Sequence, residues 1–214
     1  MMIKTVYNKL LAGVIFMASS AVVTADYDTV FLDLAQGDAI SQVRLGLGET
    51  PSGKEGEKVT SMFYLGYFQS DDTVKVDGVN LGTEKVEIIT LGAGGFGYLD
   101  NPHKNGGAEF DFELSNTKFD VSDYDRTAIG FKTQLFIPVA AGLQANLGFN
   151  LRPFFLSTDW DDQADLEVAY QAGVEYAFNW DVALYSHYRK LDIHTEDATT
   201  TFAEDVVFGL RARF

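Results

Sequence analysis

Three histidines, His103, His187 and His194, are the only imidazoles in the chain, and with the serines and aspartates near them they are the residues from which acid–base or nucleophilic chemistry would have to be built. Ser186 and His187 are adjacent in a segment that alternates like a strand, so their side chains point to opposite faces and cannot form a nucleophile–base pair. His194 shares a face with Asp192 but lies at a loop edge, and His187 fits better among Tyr185 and Arg189. No triad can be assembled from these positions, and no enzymatic activity is expected. The chain has no cysteine, which excludes disulfides, thiolate metal sites, cysteine nucleophiles and a lipid-anchored N-terminal cysteine.

The acidic cluster Asp159, Asp161, Asp162 and Asp165 is oxygen-rich, as a Ca²⁺ or Mg²⁺ site must be. Its spacing is not that of an EF-hand: Ala164 stands where the sharp-turn glycine belongs and Tyr170 where the last glutamate belongs. Solvated loop charge explains it, and neither metal nor cofactor is expected. The run GAGGFG has no Lys-Ser/Thr after it and opens no helix, so it is not a phosphate loop; strand curvature or a bulge is the expectation.

A larger set of charged residues recurs at period two. Arg44, Lys132, Arg152, Glu167, Glu175, His187, Arg189, Arg211 and Arg213 are candidates for one inward face, with Arg126, Asp111 and Glu113 beside them. Lining a water path, they would set solute selectivity; paired with each other, they would plug a small barrel whose interior side chains already fill. The plug is the expectation.

These side chains need strands to carry them. In TFAEDVVFGLRARF, Val206, Phe208, Leu210, Ala212 and Phe214 share one face and Asp205, Val207, Gly209, Arg211 and Arg213 the other. LQANLGFNLRPFF, TAIGFKTQLFI and DLEVAYQAGVEY repeat the pattern. The spacing predicts strands over 27–35, 40–48, 58–69, 83–97, 107–117, 125–137, 142–156, 164–178, 181–194 and 202–214. Ten is an even number, as in bacterial single-chain barrels, although eight or twelve also fit the weaker N-terminal half. Several segments reach the roughly 9–11 residues a tilted membrane strand requires. Aromatics near strand ends (Tyr64, Tyr67 and Phe68; Phe154, Phe155 and Trp160; Tyr176, Phe178 and Trp180) suggest interfacial girdles.

IPVAAG and FNWD read as short periplasmic turns, while QSDDTVKVDGVNLG, SNTKFDVSDYD, STDWDDQAD and HTEDATTT read as longer acidic outer loops. GETPSGKEGEK and LDNPHKNGG are long for the periplasmic side. The fold class expected is therefore all-β, a transmembrane antiparallel up-and-down barrel occupying 26–214. Residues 1–25 read as a cleaved signal peptide, with Lys4 and Lys9, an apolar stretch from Leu10, and Val23-Thr24-Ala25 before the cut.

The formal net charge of −15, or −17 once Lys4 and Lys9 leave with the signal, opposes binding to a phosphate backbone, so no nucleic acid is expected. The partners expected are outer-membrane lipids, lipopolysaccharide, and the barrel assembly machinery engaged through the closing strand that ends at Phe214.

The mature sequence resembles the YfaZ family of outer-membrane proteins. The resemblance is carried by AIGFKTQLFIPVAAGLQANLGFNLRPFFLSTD, by Ala172-Gly173-Val174-Glu175-Tyr176 with Tyr188-Arg189, and by VVFGLRARF, and in the first half by Val43-Arg44-Leu45-Gly46-Leu47-Gly48. It implies a barrel in the Gram-negative outer membrane and leaves the biochemical role open. A structural or envelope-maintenance barrel with a mostly plugged lumen is the leading expectation. A narrow selective pore is the alternative, and an outer-leaflet hydrolase a more remote one.

Overall fold

Segments in which every second residue is apolar cannot bury that face alone; here they pair edge to edge until the sheet meets itself. A computed structural model of the protein describes residues 28–49, 57–99, 106–120, 124–157, 164–178 and 181–214. Ten strands run in order: β1 (Thr29–Gln36), β2 (Ile40–Glu49), β3 (Glu57–Val76), β4 (Val79–Leu99), β5 (Gly107–Phe119), β6 (Asp125–Ala140), β7 (Leu143–Pro153), β8 (Leu166–Ala177), β9 (Val182–His194) and β10 (Thr199–Arg213). Each is antiparallel to its neighbour, and β1 pairs with β10 from Phe31↔Arg213 to Gln36↔Phe208, closing the barrel and leaving no sheet edge. No helix among the described residues is long and apolar enough to cross a membrane, a statement that does not concern strands. The predicted signal peptide, His103, Asp159, Asp161, Asp162, Trp160, Trp180 and most of the two long turns in the first half lie outside the described residues.

All ten predicted strands are present, but several run further than the sequence pattern suggested. QSDDTVKVDGVNLG is not a loop. β3 and β4 continue through it to a two-residue turn, Asp77-Gly78, where φ is 47° and 83°. Asp-Gly accepts two positive φ values in succession at low steric cost, and such turns match the twist of a hairpin. SNTKFDVSDYD and HTEDATTT likewise shrink to the connections 120–124 and 195–198, because β5 extends to Phe119, β6 begins at Asp125 and β10 begins at Thr199. β-branched and aromatic residues carry the strand conformation beyond the point where alternation of hydrophobicity fades.

The extended β3–β4 hairpin leans across the short β1–β2 hairpin and pairs with β10 through Val76↔Thr200 and Lys75↔Thr201. The crossing is held by side chains as well. Lys75 bonds Glu204 at 2.8 Å, the Glu204 amide donates to Asp72 at 2.8 Å, and Asp205 accepts from the Ala39 and Ile40 amides at 2.8 and 3.1 Å. Beneath it lies an apolar cluster that includes Ile40, Val74, Ile88, Phe119, Leu191 and Phe202, with Phe119 stacked on Phe202 at 4.2 Å.

Two further expectations are corrected. Tyr64 and Phe68 do not belong to an outer girdle: Tyr64 is buried in the lumen and Phe68 packs against the apolar cluster. Their even numbers put them in phase with buried Thr60 and Met62, whereas Phe63 and Leu65 face out. The GAGGFG run forms no bulge. β4 keeps an unbroken register there with both neighbours, and the ring's shifts lie at Val74/Lys75, Pro138/Ala140 and Thr201/Ala203. Instead the glycines clear space for inward side chains. A Cβ on Gly92 would sit 2.2 Å from the Tyr64 ring, and one on Gly94 would sit 2.1 Å from Asp111 Oδ1 and 2.3 Å from the Phe110 carbonyl oxygen. Because the second obstacle at Gly94 is backbone, Gly94→Ala is expected to destabilise the barrel by about 1–3 kcal/mol, as overpacking does. Urea titration of the refolded protein measures this, and an unchanged midpoint would contradict the packing.

Candidate functional site

The lumen is built by the even-numbered positions of β2, β3, β4, β6 and β7 and the odd-numbered positions of β1, β5, β8, β9 and β10. On β5, GAEFDFEL turns Glu109, Asp111 and Glu113 inward and Phe110, Phe112 and Leu114 outward. On β1, TVFLDLAQ does the same for Asp33, with Leu32 and Leu34 outside. Facing carboxylates on these strands are the cations of β2, β6, β7 and β10.

Arg44 is the centre of the network. Its guanidinium reaches Asp33 at 2.5 Å, Glu109 at 2.6 Å and Asp111 at 3.6 Å, and lies 5.2 Å over the Phe31 ring and 5.3 Å over Tyr64. Lys132 bonds the same oxygen of Glu109 and reaches Asp111 at 3.4 Å. Arg211 spans Glu175 at 3.2 Å, Asp33 at 3.7 Å and Glu109 at 3.9 Å. Nearer the outer end, Arg152 sits between Glu167 at 3.3 Å and Glu113 at 3.7 Å, with Arg126 3.9 Å from Glu167.

Tyrosines and amides complete the bonding. Tyr64 donates to Glu113 at 2.6 Å and Asp111 at 3.0 Å, Tyr124 donates to Glu167 at 2.8 Å, Tyr185 donates to Asp33, and Asn150 donates to Glu113. Charges taken this far from water are tolerated because each carboxylate here meets more than one donor.

Every residue the sequence nominated for the inner face is buried: Arg44, Lys132, Arg152, Glu167, Glu175, His187, Arg189, Arg211 and Arg213 are each less than a tenth exposed. They do not form one cluster. Arg213 stands at the end where the termini meet, donating to Thr60 at 3.1 Å. His187 stacks on Tyr185 at 4.3 Å, and neither ring nitrogen has a hydrogen-bond partner among the described residues. Ser186 lies on the opposite face of β9, between Val174 and Phe208, so no nucleophile meets that imidazole. His194 is tied to Thr199 at 2.9 Å, while Asp192 bonds Lys190 and Thr201 at 2.7 Å. Among the described residues no His, Cys, Asp and Glu group has the arrangement of a metal site.

Sequence reasoning missed Asp33 and Glu109 and turned Tyr64 outward; these residues, with Tyr185, which it placed beside His187, carry much of the bonding. The signal was there: Asp33 alternates with leucines and Glu109 is in phase with Asp111 and Glu113. Gln134, Gln144 and Asn146 were also missed. They are fully buried on the inner face of β6 and β7, and the side chains of Gln144 and Asn146 have no hydrogen-bond partner among the described residues, the condition in which buried polar groups hold water.

Above the ionic network and below the apolar cluster the lumen keeps a cavity of about 100 Å³. Arg44, Lys132, Arg152 and Arg189 border it, Glu113 is the carboxylate in its lining, and Ile40, Phe68 and Leu191 form its upper wall. The two obstructions on either side of it are of different kinds, one ionic and one apolar, and each narrows the lumen by itself.

No known protein family matches the chain, and no curated protein does so either. Solved structures similar to it are outer-membrane barrels. The KdgM porin in complex with disordered oligogalacturonate is 7% identical over 87% of this chain and 99% of its own, with a TM-score of 0.39. The NanC porin is 11% identical over 86% of this chain and 98% of its own, with a TM-score of 0.37. The translocator domain of the autotransporter NalP from Neisseria meningitidis is 12% identical over 99% of this chain and 97% of its own, with a TM-score of 0.33. These likenesses are of general architecture, and the closed ring described above stands on the strand pairing of this chain itself.

Proposed function

We propose that the protein is a small integral barrel of the Gram-negative outer membrane, with a structural or envelope-maintenance role and a lumen closed to continuous solute flow. One observation carries this reading: the ring wears its apolar residues outside and its charges inside. A row of aliphatic side chains at register-paired positions, Leu32–Leu45–Leu65–Leu91–Leu114–Ile129, crosses six strands on the outer surface. A second, Val30–Leu47–Phe63–Ala93–Phe112–Phe131–Leu151, crosses seven. Phe208 is 67% exposed while Glu109 is wholly buried. A soluble protein does not present so large a continuous apolar surface, whereas acyl chains require it, and a closed barrel satisfies every strand's backbone within lipid.

In this reading the end at which β10 closes on β1, which also carries the two-residue connection between β6 and β7, faces the periplasm, and the long β3–β4 hairpin faces outward. Around that outer end a polar band of Lys85–Glu87, Lys118–Asp125 and Lys190–Asp192 pairs follows the apolar rows, chemistry suited to the headgroups of lipopolysaccharide. Phe214, exposed beside β1, ends the strand that would engage the barrel assembly machinery. Membership of the YfaZ family belongs to this proposal, supported by the Ala172–Tyr176 and Tyr188-Arg189 motifs lying on the paired strands of the β8–β9 hairpin, where Ala172 stands opposite Tyr188.

Two measurements test the reading. The refolded protein should run differently on electrophoresis before and after boiling, and identical mobility would remove the membrane barrel. In planar bilayers it should give no stable current steps. Reproducible ohmic steps would replace the closed lumen by the second reading, a narrow selective pore, which the cavity and its cationic border favour.

A further inference from the structure

We propose that the lumenal cavity is a binding site for a small carboxylate with a short apolar tail, and that Arg189 is the residue that holds the carboxylate group. The proposal depends on the closed lumen alone and stands whether or not the surrounding medium is a bilayer.

Arg189 is more than nine-tenths buried, yet it has no carboxylate partner among the described residues. Its Nη1 donates to Gln42, its Nη2 to the Tyr185 hydroxyl at 3.5 Å, and its Nε has no partner. Asp33 acts on it only across the Tyr185 hydroxyl that both share, and a guanidinium buried without a direct ion pair is stabilised by an anion that joins it. The carboxylate placed to neutralise it is that of Asp205, its direct cross-strand partner on β10. That group is committed elsewhere: Oδ2 accepts the Ala39 and Ile40 amides at the β1–β2 turn, and Oδ1 the Val206 amide at 2.7 Å. The cation therefore faces the cavity with its own acid turned away.

The rest of the wall selects the ligand. Arg152 and Lys132 also border the cavity, but both are engaged by carboxylates of the network, which leaves Arg189 as the lining cation with no direct ion pair among the described residues. A site centred on that guanidinium favours an anion over a cation. The opposite wall of Ile40, Phe68 and Leu191 offers no donors, so an ion that is polar all round, such as sulfate, would lose hydration there without replacement. A carboxylate at one end and one or two carbons at the other matches both walls. Size sets the limit: the cavity of about 100 Å³ is smaller than the roughly 150 Å³ that accommodates benzene in an engineered apolar cavity, which restricts the occupant to a few heavy atoms.

The test is titration of the full-length, refolded barrel in detergent micelles with propionate, followed by the chemical shift of ¹³C-labelled propionate and by thermal unfolding. Saturable binding is expected, with a rise in the unfolding temperature that follows ligand concentration. Arg189→Gln, which keeps a hydrogen-bonding head of similar reach, should weaken binding at least tenfold. Ala169→Leu, which fills the cavity from β8 and leaves Arg189 in place, should abolish it. Heat-dependent mobility verifies that each variant is folded, and either variant alone suffices if the other is not.

Propylammonium and n-propanol should not compete, and sulfate should produce no saturable response. Equal binding by the wild type and a folded variant, competition by propylammonium, or an equal effect of sulfate would each overturn the proposal. Failure of these titrations in a protein that still shows heat-dependent mobility rejects the carboxylate site and leaves the barrel reading intact.

Discussion

Replacing Arg44 with Met is expected to lower the stability of the barrel by about 3–5 kcal/mol, the cost of removing one partner from a buried ion pair. The side-chain volume is nearly kept and its contacts with the Phe31 and Tyr64 rings are retained in part, so little of the loss is packing. What remains is Asp33, Glu109 and Asp111, gathered around a position that no longer carries charge. Lys132 still reaches Glu109 and Asp111, and Arg211 still reaches Asp33 and Glu109, but these cations also serve each other's partners.

The asymmetry between losing one member and losing a whole set makes the experiment informative. Combining Arg44→Met with Asp33→Asn and Glu109→Gln should recover part of the lost stability, since the uncompensated carboxylates are then gone. Reversible urea unfolding in a single lipid or detergent system measures both, with the midpoint and slope fitted separately. An Arg44→Met barrel as stable as the wild type would mean that the network is not the element that holds the lumen.

The complementary change lies on the other side of the wall. Leu91→Arg should destabilise the protein in a bilayer by about 2–4 kcal/mol, the range for a cation on the lipid face near the midplane. Leu91 is 54% exposed and stands in the middle of the Leu32–Ile129 row, flanked by Leu65 and Leu114, so the guanidinium has no inward partner to reach. An arginine at Asn116, which is paired with Asp125 in the polar band, should cost far less. The comparison separates burial in lipid from a general intolerance of substitution. Equal, small effects at both positions would place Leu91 in water.

Much of this architecture was legible from period two. Odd positions of β10 and even positions of β6 and β7 carried charge against an apolar partner face, and this is why Arg211, Arg213, Lys132 and Arg152 could be assigned inward without any register between strands. Three things were not legible. The first is which acid meets which base: Glu109 and Arg44 are 65 residues apart, and nothing local encodes the angle at which β2 and β5 face each other across a closed ring.

The second is the phase of strands whose two faces are both apolar or aromatic. MFYLGYFQ offers Met, Phe, Tyr and Leu in succession, and only the buried hydroxyl of Tyr64 between two carboxylates decides that Tyr64 turns in while Phe63 turns out. The third is the β3–β4 extension. Acidic residues suggested a loop, although Val74, Val76 and the Asp-Gly turn held the hairpin signal. For the candidate site, charge identified the right face, whereas the diversion of Asp205 from Arg189 arises from a turn contact 165 residues away in sequence.

The crossing of the long hairpin over the short one also changes the circumference of the molecule along its axis. Through the lipid-facing belt the wall contains ten strands, but once β1 and β2 end at their turn, the pairing of β3 with β10 leaves eight to complete the circle. Barrel diameter grows roughly linearly with strand number, and an eight-strand circle is about the size that interior side chains fill unaided. The molecule is therefore shaped as a flask, with its neck at the β3–β4 hairpin end and its wider body at the end where β10 closes on β1.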